Sequence, residues 1–171
     1  MLVPAKPAPQ LSLPTTSGQQ WSLHERQPGN FTLLIFYRGL HCPLCKKQLQ
    51  EACSLLDEFD QRKVEVIAIS MDTQARAVQS RDDWELGELS VAYGLSEDQA
   101  REWGLYISSA IKDGEPDQFS EPGIFLIRPD ATLYYIATQS MPFARPPLKQ
   151  LLTAIDFAVD KDYPARGQLT G

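Results

Sequence analysis

Two cysteines separated by two residues are the most reactive feature of the sequence. Cys42 and Cys45 enclose Pro43 and Leu44, and this tetrapeptide follows the apolar run at residues 31–37. A proline directly after Cys42 fits the first position of a helix, where its missing N–H costs no hydrogen bond. Cys42 would then cap that helix, with unpaired backbone N–H groups and the positive end of the helix dipole facing its sulfur. This setting favours the thiolate, the form of cysteine that attacks disulfides and peroxides.

The predicted helix also indicates which cysteine attacks. Cys42 lies nearest the helix N-terminus and on its expected exposed side, so its thiol should have the lower pKa. Cys45 borders an apolar stripe that begins at Leu49, where desolvation raises the pKa of a thiol. Because one helical turn separates the two residues, they can form a disulfide with little backbone movement.

A metal site and a purely structural role are the alternatives for these cysteines. A zinc site needs further ligands at matching distances, and the chain offers only Cys53, His24 and His41, with no second paired motif. We therefore expect no metal and no organic cofactor. Cysteine also serves as a small core hydrophobe. Cys53 is the expected example, since it lies about two helical turns beyond Cys45 and is too far away to pair with it.

Composition limits the domain organisation and the class of partner. The 171 residues are 43% hydrophobic and 22% charged, as in an ordinary globular protein. We predict a single domain over residues 1–171, with the proline-rich residues 1–9 as an extended arm. The net charge of -6 and the scattered basic residues argue against nucleic acid and against an anionic membrane surface as partners.

Cysteine usage and the apolar segments indicate the compartment. Three cysteines are too few for a secreted disulfide scaffold, and their odd number fits a reducing environment. The first ten residues have no apolar stretch of signal-peptide length, and no segment is long enough to span a membrane. We expect a cytoplasmic protein.

The pattern of apolar residues predicts the elements that position the cysteines. Two buried strands, at residues 31–37 and 64–70, are joined by a helix from Pro43 to about residue 61, which predicts a right-handed parallel crossover. The chain also predicts an N-terminal β-hairpin, a helical insertion, a second hairpin and a last helix, at residues 10–23, 73–103, 123–136 and from 146 onward. This order matches an α/β, thioredoxin-like fold with a central mixed sheet flanked by helices.

The segment around the cysteines resembles a known family. Residues 36–49, FYRGLHCPLCKKQL, look like the active-site segment of the peroxiredoxin-like branch of the alkyl hydroperoxide reductase/thiol-specific antioxidant (AhpC/TSA) family. Residues 11–14 and 119–130 also resemble it, so the likeness extends over nearly the whole chain. The resemblance implies a thiol-dependent oxidoreductase acting on peroxides or disulfides, with thioredoxin, glutaredoxin or glutathione as reductant, and it allows a homodimer.

The resemblance assigns the two cysteines in two ways. Peroxiredoxins carry a threonine one helical turn before the peroxidatic cysteine, which puts Cys42 in the threonine position and Cys45 in the peroxidatic one. An alignment with thioredoxins and glutaredoxins instead makes Cys42 the attacking thiol and Cys45 the resolving thiol. The chain also departs from peroxiredoxins, because Arg38 replaces a proline and Pro122 replaces the arginine that polarises the peroxide.

Other residues are candidates to support the sulfurs. Thioredoxin-like enzymes place a cis-proline opposite the cysteines, and the resemblance predicts this for Pro122, with an ordinary trans proline as the alternative. His41 could supply a proton or a positive charge to the thiols, or it could be a loop residue with no role in the chemistry. Arg38 and Arg145 are the arginines best placed to replace the missing one, unless they only form surface ion pairs.

These observations predict a thiol-dependent oxidoreductase that cycles Cys42 and Cys45 between dithiol and disulfide. Peroxide reduction and thiol–disulfide exchange both remain open. A redox-responsive binding protein is the alternative from another class, in which the disulfide switches a surface and no turnover occurs.

Overall fold

The computed structural model describes residues 1–171 and is built around a five-stranded mixed sheet. The strands are β1 (Ser12–Pro14), β2 (Gln20–Ser22), β3 (Phe31–Phe36), β4 (Val64–Ile69), β5 (Ser90–Ala92), β6 (Ile107–Ser109), β7 (Gln118–Ser120), β8 (Gly123–Ile127) and β9 (Leu133–Thr138). The helices are α1 (Pro43–Ser54), α2 (Leu56–Gln61), α3 (Gln74–Asp83), α4 (Glu97–Glu102) and α5 (Leu148–Asp160). None of these helices combines the length and the apolar character needed to cross a membrane.

The order of the strands in the main sheet is β5-β4-β3-β8-β9. Strand β3 pairs in parallel with β4 and antiparallel with β8, while β8 and β9 form an antiparallel hairpin. The parallel crossover through α1 and the mixed sheet flanked by helices confirm the predicted thioredoxin-like fold. The predicted N-terminal hairpin is also present, as β1 paired with β2.

All six residues of β3 are buried, which fits a strand covered on both faces whose only polar side chain is Thr32. Leu33 and Ile35 face the layer that contains α1 and α5, and both cysteines of the pair lie in that layer. Leu34 and Phe36 face the opposite layer, which holds the N-terminal hairpin, α4 and the fully buried Trp103. The cysteines thus share one face of the sheet with α5.

The predicted long helix after Pro43 is two helices. It breaks at Leu55, which has φ -103° and ψ 4°, and the Leu55 N–H donates to the carbonyls of Glu51 and Ala52, both at 3.1 Å. Apolar spacing continues across this break toward the buried Phe59, so periodicity alone could not reveal it.

The predicted helical insertion contains a strand as well as helices, because β5 lies within it and pairs in parallel with β4 at the sheet edge. Beyond the insertion, β6 and β7 form a separate two-stranded hairpin that the sequence does not predict. Each of these strands has only three residues, too few to produce a recognisable alternation. The β6–β7 hairpin matters for the site because it leads directly into β8.

The first nine residues run beside the turn between β8 and β9. The Ala5 N–H donates to the Leu133 carbonyl at 2.7 Å, and the Ala8 N–H donates to the Ala131 carbonyl at 2.9 Å. Pro7 forms an isolated bridge with Thr132 between these two bonds. The segment is therefore tied to the sheet on the side away from the cysteines.

Candidate active site

Cys42 caps the N-terminus of α1, as its following proline predicts. Its backbone is extended, with φ -107° and ψ 105°, and its Sγ accepts the backbone N–H of Cys45 at 3.2 Å. Pro43 occupies the first helical turn, and the Lys46 N–H donates to the Cys42 carbonyl at 3.1 Å. The sulfur therefore takes the place that a serine or threonine hydroxyl fills at other helix starts.

Both sulfurs are buried, and both cysteines are reduced. Cys42 is 1% exposed and Cys45 is 0% exposed. Cys45 faces the apolar layer as predicted, but the predicted exposure of Cys42 is wrong. The physical reason is that Arg145 reaches over both sulfurs from the loop between β9 and α5, residues 139–147, which we call the β9–α5 loop.

Arg145 brings a positive charge to the pair. Its Nη2 lies 3.0 Å from the Sγ of Cys45 and 3.7 Å from the Sγ of Cys42. Its Nη1 donates to Oε1 of the buried Gln48 at 2.6 Å, and its Nε donates to the Pro142 carbonyl at 2.6 Å. These bonds fix the plane of the guanidinium with one nitrogen directed at the sulfurs.

Arg38 approaches from the end of β3. Its backbone N–H donates to the Sγ of Cys45 at 3.4 Å. Its side chain forms an ion pair with Glu121, with 3.0 Å between Nε and Oε2, and stacks on Phe119 with its guanidinium carbon 4.7 Å from the ring centre. Ser108 in turn donates its hydroxyl to Oε1 of Glu121 at 2.7 Å. Arg38 is thus held from the side of the β6–β7 hairpin.

These surroundings separate the pKa values of the two thiols. The neighbouring Cys45 thiol is the main cause that lowers the pKa of Cys42 to about 6; the Cys45 backbone N–H and both arginines add to it, against the opposing effect of burial. Burial raises the pKa of Cys45 well above its usual value, and hydrogen bonding with Cys42 raises it further. Arg145 lies nearer to Cys45, but desolvation of the deeper sulfur outweighs that attraction. These opposite shifts favour the thiolate form of Cys42 over that of Cys45.

His41 lies beside the site as a neutral side chain. Its ring packs against Phe119 with 4.5 Å between ring centres, and both ring nitrogens are buried without a hydrogen-bond partner in the protein. Burial lowers the pKa of His41, and the positive charge of Arg38 lowers it further. At neutral pH, His41 adds no positive charge to the thiolate.

Pro122 is trans, so the predicted cis bond is wrong. The residues on either side explain the extended path. The Glu121 N–H donates to the Tyr106 carbonyl at 2.7 Å, and the Pro122 carbonyl accepts the Gln139 N–H at 3.2 Å. The β6–β7 hairpin therefore delivers an already extended chain to β8, and a trans bond continues it.

Asp72 holds the turn between β3 and α1, a role that sequence reasoning missed. This buried carboxylate accepts the Leu40 N–H at 2.9 Å and the Arg76 Nε at 3.2 Å. Gly39 has φ +136°, and a Cβ at this position would lie 2.7 Å from Oδ1 of Asp72. The turn therefore requires glycine, both for its backbone conformation and for this close approach.

The structure brings Cys42, Cys45, Arg38, His41 and Arg145 together, and it adds polar groups that the sequence did not single out. Helical spacing could have found Gln48, because it lies one turn after Cys45 on the same face. No comparable signal marks Glu121 or Ser108, because their approach depends on the β6–β7 hairpin. Cys53 stands apart from the pair, near the end of α1, and donates its thiol to the Leu86 carbonyl at 2.7 Å.

The fold and the site define a thioredoxin-like protein with two neighbouring thiols at a helix N-terminus. A sequence profile described as the AhpC/TSA family matches residues 4–136. The chain belongs to the AhpC/TSA family.

Individual relatives agree with this assignment. The chain is 27% identical over 126 residues to a 1-Cys peroxiredoxin from Dictyostelium discoideum, a match that covers 72% of this chain and 47% of the relative. The chain thus spans about half the length of the curated relative it matches. Peroxiredoxin 6 of Arenicola marina is 17% identical with a TM-score of 0.79, covering 98% of this chain and 80% of that one. The 2-Cys peroxiredoxin of Plasmodium vivax is 16% identical with a TM-score of 0.75, covering 94% and 99%. The two structural matches show the shared fold.

Proposed function

We propose that the protein is a thiol-dependent peroxide reductase that uses Cys42 and Cys45. The observation that carries the proposal is the guanidinium of Arg145, whose Nη2 lies within 3.7 Å of both sulfurs beside the N-terminus of α1. A thiolate at Cys42 and a protonated thiol at Cys45 are the two species that a dithiol peroxidase needs. Membership of the AhpC/TSA family supports the same reaction class.

The reaction begins with the Cys42 thiolate attacking one oxygen of a hydroperoxide. An S–O bond forms as the O–O bond breaks, and the leaving oxygen takes up a proton to become an alcohol or water, which leaves Cys42 as a sulfenic acid. The Cys45 sulfur then attacks the Cys42 sulfur. A disulfide forms, and the sulfenic oxygen departs as water with the Cys45 proton. An external dithiol or glutathione reduces the disulfide by exchange.

Two arginines supply the positive charge that a departing oxygen anion requires. Pro122 occupies the position where peroxiredoxins carry their peroxide-polarising arginine, so the cation must come from elsewhere in the chain. The Arg145 guanidinium approaches from the β9–α5 loop, and Arg38, whose backbone N–H contacts the Sγ of Cys45, extends from the end of β3. Fixed donors directed at developing negative charge stabilise a transition state without reorganising during the reaction.

Two features favour a small peroxide over a protein disulfide as the oxidant. Both sulfurs are buried, at 1% and 0% exposure, and a protein chain could reach them only after the site opened. Pro122 is trans, so the thioredoxin-like mode of binding an extended chain across a cis-proline lacks its usual support. A small hydroperoxide needs neither a wide opening of the site nor a cis-proline.

Attack by Cys45 is the second candidate mechanism for the same function. Peroxiredoxin spacing aligns Cys45 with the peroxidatic cysteine, and the Nη2 of Arg145 is nearer to Cys45 than to Cys42, at 3.0 Å against 3.7 Å. We favour Cys42 because its pKa is lowered to about 6, mainly through the Cys45 thiol, whereas burial raises the pKa of Cys45.

A stopped-flow competition tests the proposed function. The reduced protein is mixed with hydrogen peroxide or with a small model disulfide, and thiol loss is followed over time. We expect the peroxide reaction to be faster by orders of magnitude, and continued turnover when thioredoxin, glutaredoxin or glutathione is present in excess. A faster disulfide reaction would identify an exchange enzyme. Oxidation once without turnover under any of these reductants would identify a redox-responsive binding protein.

We also propose a domain organisation and a compartment for this activity. We propose that residues 1–171 act as a single domain, with residues 1–9 as its N-terminal arm, in a reducing compartment such as the cytoplasm. The small and odd number of cysteines in the sequence supports that compartment. A homodimer is compatible with the mechanism, because both cysteines and both arginines come from one chain.

A further inference from the structure

Glu121 has a carboxylate buried inside the site. Its polar contacts are with Ser108 and Arg38, not with the cysteines. It is 3% exposed, accepts the Ser108 hydroxyl at 2.7 Å, and pairs with Arg38 at 3.0 Å. Burying an ionised carboxylate is unfavourable unless its partners offset the loss of water. The chain therefore maintains a costly charge directly behind a residue that touches the sulfur pair.

Contacts from one side determine where the guanidinium of Arg38 lies. The Oε2 of Glu121 lies 3.0 Å from its Nε, at ion-pair distance but outside hydrogen-bond geometry, and Phe119 supports its face at 4.7 Å from the ring centre. Both partners flank Ser120, the last residue of β7, so the hairpin acts as one support. An arginine side chain without such partners samples many rotamers. The backbone N–H of Arg38 contacts the Sγ of Cys45 at 3.4 Å, and its side chain is one of the groups that lower the pKa of Cys42.

We infer that Glu121 is a positioning residue, whose carboxylate holds the guanidinium of Arg38 beside Cys42. The part of this inference that concerns peroxide chemistry rests on the proposed function, because a fixed Arg38 would also face the departing oxygen. The part that concerns the Cys42 thiolate is independent of turnover. The polar contacts of the Glu121 carboxylate are with Ser108 and Arg38, and none joins it to either sulfur.

The sign of one pKa change separates positioning from a direct effect of charge. The charged and titratable groups at the site are the cations of Arg38 and Arg145, the Cys45 thiol, neutral His41, the buried Tyr37, and the carboxylates of Glu121 and Asp72. The negative charge of Glu121 acting directly on Cys42 disfavours the thiolate, so its removal alone would lower the pKa of Cys42. Release of Arg38 would raise that pKa. Positioning therefore predicts a rise when Glu121 is neutralised.

The test measures the pKa of Cys42 from its thiolate absorbance and from its alkylation rate as a function of pH. Glu121→Gln should raise this pKa by roughly half a unit or more and slow the reaction with hydrogen peroxide. Ser108→Ala keeps the charge but removes the hydroxyl that orients the carboxylate, and should produce a smaller rise of the same sign. A pKa that is unchanged or lowered in both folded variants would overturn the inference.

Glu65→Gln is the matched control. Glu65 also pairs with an arginine, Arg26 at 2.9 Å, but it lies opposite Thr32 at the start of β3, away from the end that leads to the cysteines. The pKa of Cys42 should not change in this variant. An equal rise in Glu65→Gln would assign the effect to overall charge and overturn the inference.

The Arg38→Gln background completes the test, because positioning by Glu121 requires the Arg38 side chain. In that background Glu121→Gln should no longer raise the pKa of Cys42, whereas a general structural defect would raise it again and contradict the inference. The proposed function is tested separately by turnover. If Glu121→Gln raises the pKa of Cys42 but the native protein shows no peroxide turnover, positioning is supported and only the proposed function is rejected. If the native protein turns over peroxide but Glu121→Gln leaves the pKa of Cys42 unchanged, only positioning is rejected.

Discussion

The reactivity of Cys42 and Cys45 depends on which of the two carries the thiolate. Cys42 has a helix N-terminus, the Cys45 thiol and two arginines to stabilise its thiolate, whereas Cys45 is more deeply desolvated. A thiolate paired with a nearby neutral thiol combines a nucleophile with a resolving group. We therefore propose different roles for the two cysteines although only two residues separate them.

The pH dependence of alkylation is the first residue-scale prediction. The pKa of Cys42 is lowered to about 6, mainly by the Cys45 thiol, so its reaction with iodoacetamide should rise with a midpoint near that pH and level off above it. As the pH falls below the midpoint, Cys42 takes up a proton and the rate declines. Cys42→Ser should lack this phase. A midpoint above about pH 8 in the native protein would contradict the assignment.

Arg145 is the subject of the second prediction at this scale. Arg145→Gln removes the cation nearest the sulfurs, so the rate of peroxide reduction should fall by roughly a hundredfold. The rate of Arg145→Lys should lie between those of the native protein and Arg145→Gln, because lysine keeps the charge without the planar guanidinium. Stopped-flow kinetics measure both. Arg101→Gln is the control, since Arg101 pairs with Glu97 in α4 on the other side of the sheet. Equal losses in Arg145→Gln and Arg101→Gln would exclude a specific role.

Among the elements, the turn from β3 into α1 is the most constrained. Gly39→Ala should lower the free energy of unfolding by about 3 kcal/mol, because its positive φ strains any side chain and its Cβ would collide with Asp72. Gly18→Ala is the matched control, with φ +88° and open space around the new Cβ, and should cost about 1 kcal/mol. Urea unfolding measures both. Equal losses would show that the approach of Asp72 is not limiting.

The β9–α5 loop should respond to the redox state of the pair. Arg145 joins this loop to Gln48 and to both sulfurs, and oxidation to a disulfide removes the negative charge that it contacts. Hydrogen exchange in residues 139–147 should therefore be faster in the oxidised protein. A Cys42→Ser, Cys45→Ser double variant treated with the same peroxide should show no change. Equal exchange in the reduced and oxidised native protein would contradict this coupling.

For the whole molecule, the sheet topology explains why the site forms where it does. Phe36 at the end of β3 pairs with Ile69 at the end of β4 and with Gly123 at the start of β8. Parallel and antiparallel pairing thus bring the segments after β3, after β4 and before β8 to one edge of the sheet. Those segments carry the cysteines, Asp72 and Glu121. The site is a consequence of strand order.

The same topology divides what sequence could predict from what it could not. Strand β3, the cap at Cys42 and the last helix follow from local signals, namely apolar runs and the positions of prolines. The burial of Cys42 was not predictable, because Arg145 is 100 residues from Cys45 along the chain. The trans bond at Pro122 and the approach of Glu121 depend on the short β6–β7 hairpin, which leaves no periodic pattern.

The most direct test of the account identifies the cysteine that peroxide oxidises first. Cys45→Ser and Cys42→Ser are each treated with one equivalent of hydrogen peroxide in the presence of dimedone, and the sulfenic acid adduct is mapped by mass spectrometry. We predict a rapid adduct on Cys42 in Cys45→Ser and almost none in Cys42→Ser, because the lowered pKa of Cys42 favours its thiolate. A rapid adduct on Cys45 in Cys42→Ser, with Cys42 unreactive in Cys45→Ser, would contradict the account and assign the attack to Cys45.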